Sequence, residues 1–293
     1  MAKYHGLIRR SKGSVVFDVV NALFMIILSF STLYPFLFLI FQSVGNSTRL
    51  SLIPTVCNFD AYANVMGNSF IWSGFEWTIL RTLVGTALSV LVTTSAAYAL
   101  SKRWFPNRNF WTGLIVFTMF FSGGLIPSYL LMKDVGLYNS FWAMILPGLC
   151  SAYNLTIMRN FFMSIPGELE ESAKIDGAND IQIMFRIIIP ISLPIIATIA
   201  LWNAVGHWNS WFDCMIYITD PNRQVLQLIL RRIVIEGTGQ FMSFTGNIEN
   251  GTNFTPEAVK AATTIVATLP ILLVYPFVQK YFVKGVMVGS LKG

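Results

Sequence analysis

Six separated runs of apolar residues decide what this chain can become: Val16 to Val44, Trp77 to Leu100, Phe110 to Met132, Phe141 to Phe162, Ile187 to Val205 and Ala258 to Phe282. Each is long enough to cross a hydrocarbon core of about 30 Å as a helix rising about 1.5 Å per residue. Lipid offers the backbone no hydrogen-bond partners, so each run must satisfy its own N–H and C=O groups. The runs therefore predict an all-α membrane protein with six transmembrane helices. Charge content agrees: 12% of the 293 residues are charged, against roughly a quarter in an ordinary soluble domain.

Basic residues orient the spans. Lys3, Arg9, Arg10 and Lys12 precede the first run, Lys102, Arg103 and Arg108 follow the second, and Lys280, Lys284 and Lys292 lie at or beyond the end of the last. With six spans all three groups fall on one face, predicted to be cytoplasmic, with both termini inside. The first run is too long for a signal-peptide core and no small-residue cleavage site follows it, so it is read as a retained helix. The expected organisation is a cytoplasmic tail over residues 1–15, a transmembrane domain over 16–282 and a second cytoplasmic tail over 283–293. The opposite face carries 46–76, a short turn at 133–140 and a long loop over 206–255. Within that loop Val225, Leu228, Ile229 and Ile233 have helical spacing and predict a short helix lying at the surface. Thr255 followed by Pro256 marks a helix start.

Several function classes are disfavoured. The net charge of +6 is dispersed among apolar runs and forms no stripe for nucleic acid. Cys57, Cys150 and Cys214 lack metal-ligand spacing and are read as packing residues, and no metal site is expected. His5 and His207 stand apart from acidic residues and from cysteine in the sequence and are read as interfacial. An intramembrane enzyme would need paired catalytic groups inside spans, and an ion-coupled carrier acting alone would show membrane-embedded carboxylates and an internal repeat; neither pattern is evident. No Gly-x-x-x-x-Gly-Lys-Ser/Thr loop occurs, so ATP, if used, is bound by another chain.

The segment from Ser164 to Pro190 concentrates Glu168, Glu170, Glu171, Asp176 and Asp180 on the face that ought to be basic. Pro166 starts a helix over Gly167 to Asp176, Gly177 permits a sharp turn, and Asn179 caps a second helix running toward Pro190. The product is a rigid knob, expected to be anchored by Ile175, Ala178 and Phe185 and suited to a groove on a soluble partner.

The run Glu171-Ser172-Ala173-Lys174-Ile175-Asp176-Gly177-Ala178, ending in Ile187-Ile188-Ile189-Pro190, resembles the EAA loop of binding-protein-dependent ABC importer permeases. Ser172 stands where that pattern usually has alanine. The segments Ala97 to Lys102, Asn139 to Phe141 and Gln279 to Gly285 extend the likeness over most of the chain, toward the carbohydrate-uptake branch and its smaller, maltose-type permease. Trp208 to Asp213 and Tyr217 to Asp220 resemble a subgroup importing complex oligosaccharides, among them acidic ones from alginate, pectin or xylan.

This resemblance implies a type I ABC importer permease fold in a bacterial inner membrane. It implies a second, non-identical permease, two ATP-binding subunits that carry the ATP and magnesium, and an extracytoplasmic sugar-binding protein. Loop 164–190 would couple to the ATPase through Glu171, Ser172, Ala173, Asp176, Gly177 and Ala178. The tail, with Lys284, Gly285 and Lys292, would touch the ATPase interface.

Interrupted spans are the best sequence pointer to a translocation path. Ser122-Gly123-Gly124 with Pro127-Ser128-Tyr129, and Pro147-Gly148 with Tyr153-Asn154, make the third and fourth spans the expected lining. Ser128, Tyr129, Tyr153, Asn154 and Asn203 are the candidate path residues, set against ordinary helix packing. Trp208, Asn209, Trp211, Arg231 and Arg232 are candidates for sugar or binding-protein contact, set against an aromatic belt and a solvated face.

Overall fold

The computed structural model describes residues 12–45, 57–236 and 255–290. The helices are α1 (Lys12–Val44), α2 (Asp60–Gly67), α3 (Ser69–Ser101), α4 (Arg108–Phe120), α5 (Leu125–Asp134), α6 (Ala152–Met163), α7 (Glu168–Ile175), α8 (Asp180–Ile183), α9 (Ile189–Ile191), α10 (Leu193–Asn209), α11 (Phe212–Tyr217), α12 (Leu226–Arg231) and α13 (Pro256–Ser290). Short 3-10 turns at Phe141–Met144 and Leu146–Gly148 precede α6, and π turns at Met184–Ile188 and Arg232–Glu236 follow α8 and α12. Contacts divide the chain into two compact units, residues 1–65 with 247–265, and 66–246 with 266–293.

In the first unit α1 leaves its apolar side chains exposed from Val15 to Leu37, the arrangement of a helix solvated by acyl chains, and becomes half-buried only over its last turns. Beyond its end the Asn58 N–H donates to the Val44 carbonyl at 2.8 Å, and the Ser43 and Tyr62 hydroxyls meet at 2.7 Å. The Thr255 hydroxyl accepts from the Ala258 N–H at 3.2 Å, so the Thr-Pro start signal is realised as a cap.

The second unit is built on α3, which packs against α10, α6 and α12. Its buried positions Gly74, Thr78, Arg81, Gly85, Ser89, Thr93 and Ala97 recur every three or four residues and form one face, made of small residues except at Arg81. Such a face lets neighbouring backbones close in where lipid supplies no hydrophobic drive. A Cβ on Gly74 would stand 3.1 Å from the Leu226 Cα, and one on Gly85 would stand 2.5 Å from His207 Nε2.

Among the described residues, three helices are each long and apolar enough to cross a membrane alone, or up to six spans if each bent pair is counted as one. The third, fourth and fifth expected spans are therefore broken. α4 and α5 meet at 117° across a break where Gly124 adopts φ +87°; the Phe141–Gly148 turns meet α6 at 50°; and Asp180–Ile191 meets α10 at 83°. The last break falls at Ser192, between Pro190 and Pro194, where two missing backbone N–H donors free the ladder to bend.

The helix expected at the membrane surface forms, but it is buried. Val225, Leu226, Leu228 and Ile229 are almost fully enclosed, and the Leu226 N–H donates to the Thr78 hydroxyl at 2.9 Å. Gly74 and Thr78 of α3 present so little bulk that α12 settles onto that helix instead of onto lipid headgroups. The reading of all three cysteines as packing residues holds for Cys214 alone, since Cys57 and Cys150 are exposed.

Candidate coupling loop and translocation path

α7 opens with Glu168, Glu170 and Glu171 in its first turn, where the helix dipole favours negative charge. It closes by a Schellman motif: the Ala178 N–H donates to the Ala173 carbonyl and the Gly177 N–H to the Lys174 carbonyl, both at 3.0 Å, with Gly177 left-handed at φ +81°. Asn179 and Gln182 then form a reciprocal capping box, side chain to backbone at 2.8 and 3.0 Å, which starts α8. Every turn of this knob is thus fixed by residues within it.

The knob's anchors differ from those expected. Ile175 is 87% exposed and Phe185 is also exposed, while Ala178 is packed only in part. Ala173, Ile183, Met184 and Ile188 are the buried members, joined to Ala97 and Tyr98 of α3, Met158 and Phe162 of α6 and Ile199 of α10. Helical periodicity accounts for Ile175: two residues beyond Ala173 in α7 is about 200° around the helix, so with Ala173 on the buried face Ile175 is turned to the exposed one. Glu171, Ser172, Ile175, Asp176 and Ile181 share the exposed surface.

Beside the N-terminal half of α3 lies a cavity of about 440 Å³, lined among others by Arg81, Ser128, Trp202, Asn203, His207 and Asp213. Its wall is held by one guanidinium. Arg81, 2% exposed, forms a two-pronged ion pair with Asp213 and donates to the carbonyls of Met144 at 3.0 Å and Ser210 at 3.3 Å. Of the candidate path residues, Ser128 and Asn203 line the cavity. Tyr129 stacks on Tyr217, a lining residue, at 6.3 Å, and Tyr153 meets Trp202 at 6.2 Å. Asn154 is buried in the first turn of α6 and is not part of the lining. His207, read as isolated and interfacial, lies in the cavity wall with Asp213, which a fold brings to it across the end of α10. His5 lies outside the described residues.

Residues 107–288 match the family described as binding-protein-dependent transport system inner membrane component. The chain belongs to this family. It is 41% identical to the polygalacturonan/rhamnogalacturonan transport system permease protein YtcP of Bacillus subtilis (strain 168), covering 95% of this chain and 99% of that protein. It is 40% identical to protein LplC of the same organism over the full length of both. Among solved structures it matches a chain of a bacterial ABC transporter involved in the import of the acidic polysaccharide alginate, with a TM-score of 0.87 and 32% identity over 93% of this chain and 99% of that one. The permease is accordingly a multi-pass inner-membrane transport component, not an enzyme, and works with a binding protein and ATP-hydrolysing subunits.

The remaining candidates divide. In the permease Arg231 lays its guanidinium over the Trp211 ring, 3.7 Å from the centroid, and Arg232 donates to Gln224 at 2.7 Å. Trp208 instead lines a separate apolar groove with Ile79, Leu83 and Ile271, and the Asn209 amide returns to its own helix at Val205. The backbone of Lys284 and Gly285 continues α13, but the Lys284 side chain, and Lys292 altogether, lie outside the described residues. Arg81 carries no local motif, and Asp213 stands only as the last residue of the Trp208 to Asp213 run, with no role implied for it. An arginine inside an apolar run was the one available signal, since a charge at membrane depth is costly without a partner.

Proposed function

We propose that this permease forms one side of an oligosaccharide path, with a second, non-identical permease opposite, and that it receives the motion of an ATPase subunit through the α7–α8 knob. The observation that carries this reading is Ile175, an isoleucine held in water at the apex of a knob whose base is buried. Burying an apolar side chain of that size in a partner's groove supplies about 1.5 to 3 kcal/mol. The cavity chemistry suits sugars, whose C–H faces rest on rings such as Trp202 and Tyr217 and whose hydroxyls pair with Asn203 and Ser128. The names of YtcP and of the alginate importer support a substrate class that includes acidic oligosaccharides. Trp211 with Arg231 is the proposed contact for the sugar-binding protein, within the extracytoplasmic loop 206–255.

The test is reconstitution of the permease with its partner permease, ATPase subunits and binding protein. Oligogalacturonides should be taken up in preference to neutral oligosaccharides, and the permease alone should neither hydrolyse ATP nor accumulate sugar. Ile175→Glu should reduce co-purification of the ATPase by about tenfold or more. Undiminished ATPase attachment in that variant would refute the docking role of the knob.

A further inference from the structure

Lys102 is the residue immediately after α3, and a lysine there is expected to reach into water on the basic face of the membrane. It does not. Lys102 is 7% exposed, its ammonium lies 4.2 Å from the centroid of the Tyr98 ring, and it forms an ion pair with Glu170 in the first turn of α7. The Glu170 side chain is itself only 18% exposed. A lysine taken out of water this far is tolerated only while its partner stays in place. By contrast, the Lys174–Asp180 pair on the same knob is open to solvent on both sides, so it holds little.

The surroundings tie this contact to a braced helix end. Tyr98 packs edge-on against Phe162 of α6 at 6.5 Å, and the Arg159 Nε donates to the Leu100 carbonyl at 3.0 Å, so α6 is tied to the same end of α3. Lys102 thus connects a braced helix end to the acidic first turn of α7. Further along α3 toward its N-terminus, roughly 30 Å away by helical rise, Arg81 holds Asp213 and the Met144 carbonyl in the cavity wall.

We propose that Lys102 is a positioning residue for transport: through Glu170 it passes displacement of the coupling knob to α3, and α3 passes it to the cavity wall through Arg81. This rests on the reading that the knob docks the ATPase. Hydrophobic packing of Ala173 alone would let α7 slide along its base, whereas a buried charge pair makes sliding expensive and so converts knob movement into helix movement.

The experiment uses the complete importer with its binding protein in proteoliposomes, comparing Lys102→Met, Lys102→Arg, Glu170→Gln and the exchanged pair Lys102→Glu with Glu170→Lys. In Lys102→Met and Glu170→Gln the ATPase should still co-purify and basal hydrolysis should stay near that of the parent. Stimulation of hydrolysis by loaded binding protein, and sugar moved per ATP, should each fall by about tenfold. Lys102→Arg should retain coupling and the exchanged pair should recover part of it, which a role confined to fold stability would not produce. Should Lys102→Met fail to accumulate, Glu170→Gln carries the comparison. Parent-like coupling in Lys102→Met or Glu170→Gln, with Ile175→Glu still shedding the ATPase, would overturn the role of Lys102 and leave the docking reading standing. Parent-like behaviour of Ile175→Glu as well would overturn both.

Discussion

Arg81 and Asp213 lie 132 residues apart in sequence and meet as a two-pronged ion pair, with the Arg81 side chain 3% exposed and that of Asp213 26% exposed. The same guanidinium gathers the Met144 and Ser210 carbonyls. One side chain therefore fixes α3, the 3-10 turn before α6 and the link between α10 and α11.

Removing either partner strands the other. Arg81→Met leaves the Asp213 carboxylate without its cation, with only the Ser210 hydroxyl at 3.1 Å and the Cys214 N–H at 2.8 Å still donating to it, and Asp213→Asn leaves a buried cation; breaking such pairs costs about 3 to 5 kcal/mol, with the lower end expected here because Asp213 keeps those donors and some solvent. Each single variant should unfold at a clearly lower temperature in detergent. The double variant Arg81→Met with Asp213→Leu should recover most of that loss, because it abolishes both desolvated charges. Single variants melting with the parent would show that the pair does not hold the cavity wall.

Cys57 is exposed, whereas Cys214 is fully buried just beyond the end of α10. Burial pushes the Cys214 thiol up to about 11, although the Val225 N–H donating to its sulfur at 3.4 Å opposes the shift. At pH 8 about one thiol in a thousand would be thiolate there, and only the thiolate reacts. With Cys150 replaced by serine, a maleimide should label a Cys57-only protein at pH 8 within minutes and leave a Cys214-only protein unmodified until it is denatured. Prompt labelling of native Cys214 would contradict the packing of α11 on α12.

The parts legible in the sequence are those governed by neighbours along the chain. Hydropathy locates the spans because each must satisfy its own backbone, and the knob is legible because Gly177, Asn179 and Gln182 act within a few residues of one another. Contacts between distant segments are not legible in this way. Lys102 looks like one more positive-inside residue until α7 brings Glu170 to it from 68 positions away. α12 looks amphipathic enough for a membrane surface until Gly74 and Thr78 provide a seat for it on α3. The bend at Ser192 is intermediate: Pro190 and Pro194 announce a disturbance, but not whether the helix kinks or breaks.

Gly177 separates a backbone requirement from a steric one. Its φ of +81° is left-handed, and an added Cβ would meet nothing within 4 Å, so a substitution is penalised by conformation alone. Gly177→Asn should be tolerated best, Gly177→Ala should cost about 1 to 2 kcal/mol, and Gly177→Val the most, since a β-branched residue resists that region strongly. Gly136 provides the control, with φ +73° and equally open space, in the turn after α5 rather than in the knob. Gly136→Val and Gly177→Val should therefore lower thermal stability by similar amounts. Only Gly177→Val should also weaken ATPase attachment, because it loosens the Schellman turn that holds Ile175 at the apex. Equal loss of attachment in the two variants would trace the defect to general instability, and no loss in either would mean that the turn's geometry does not govern docking.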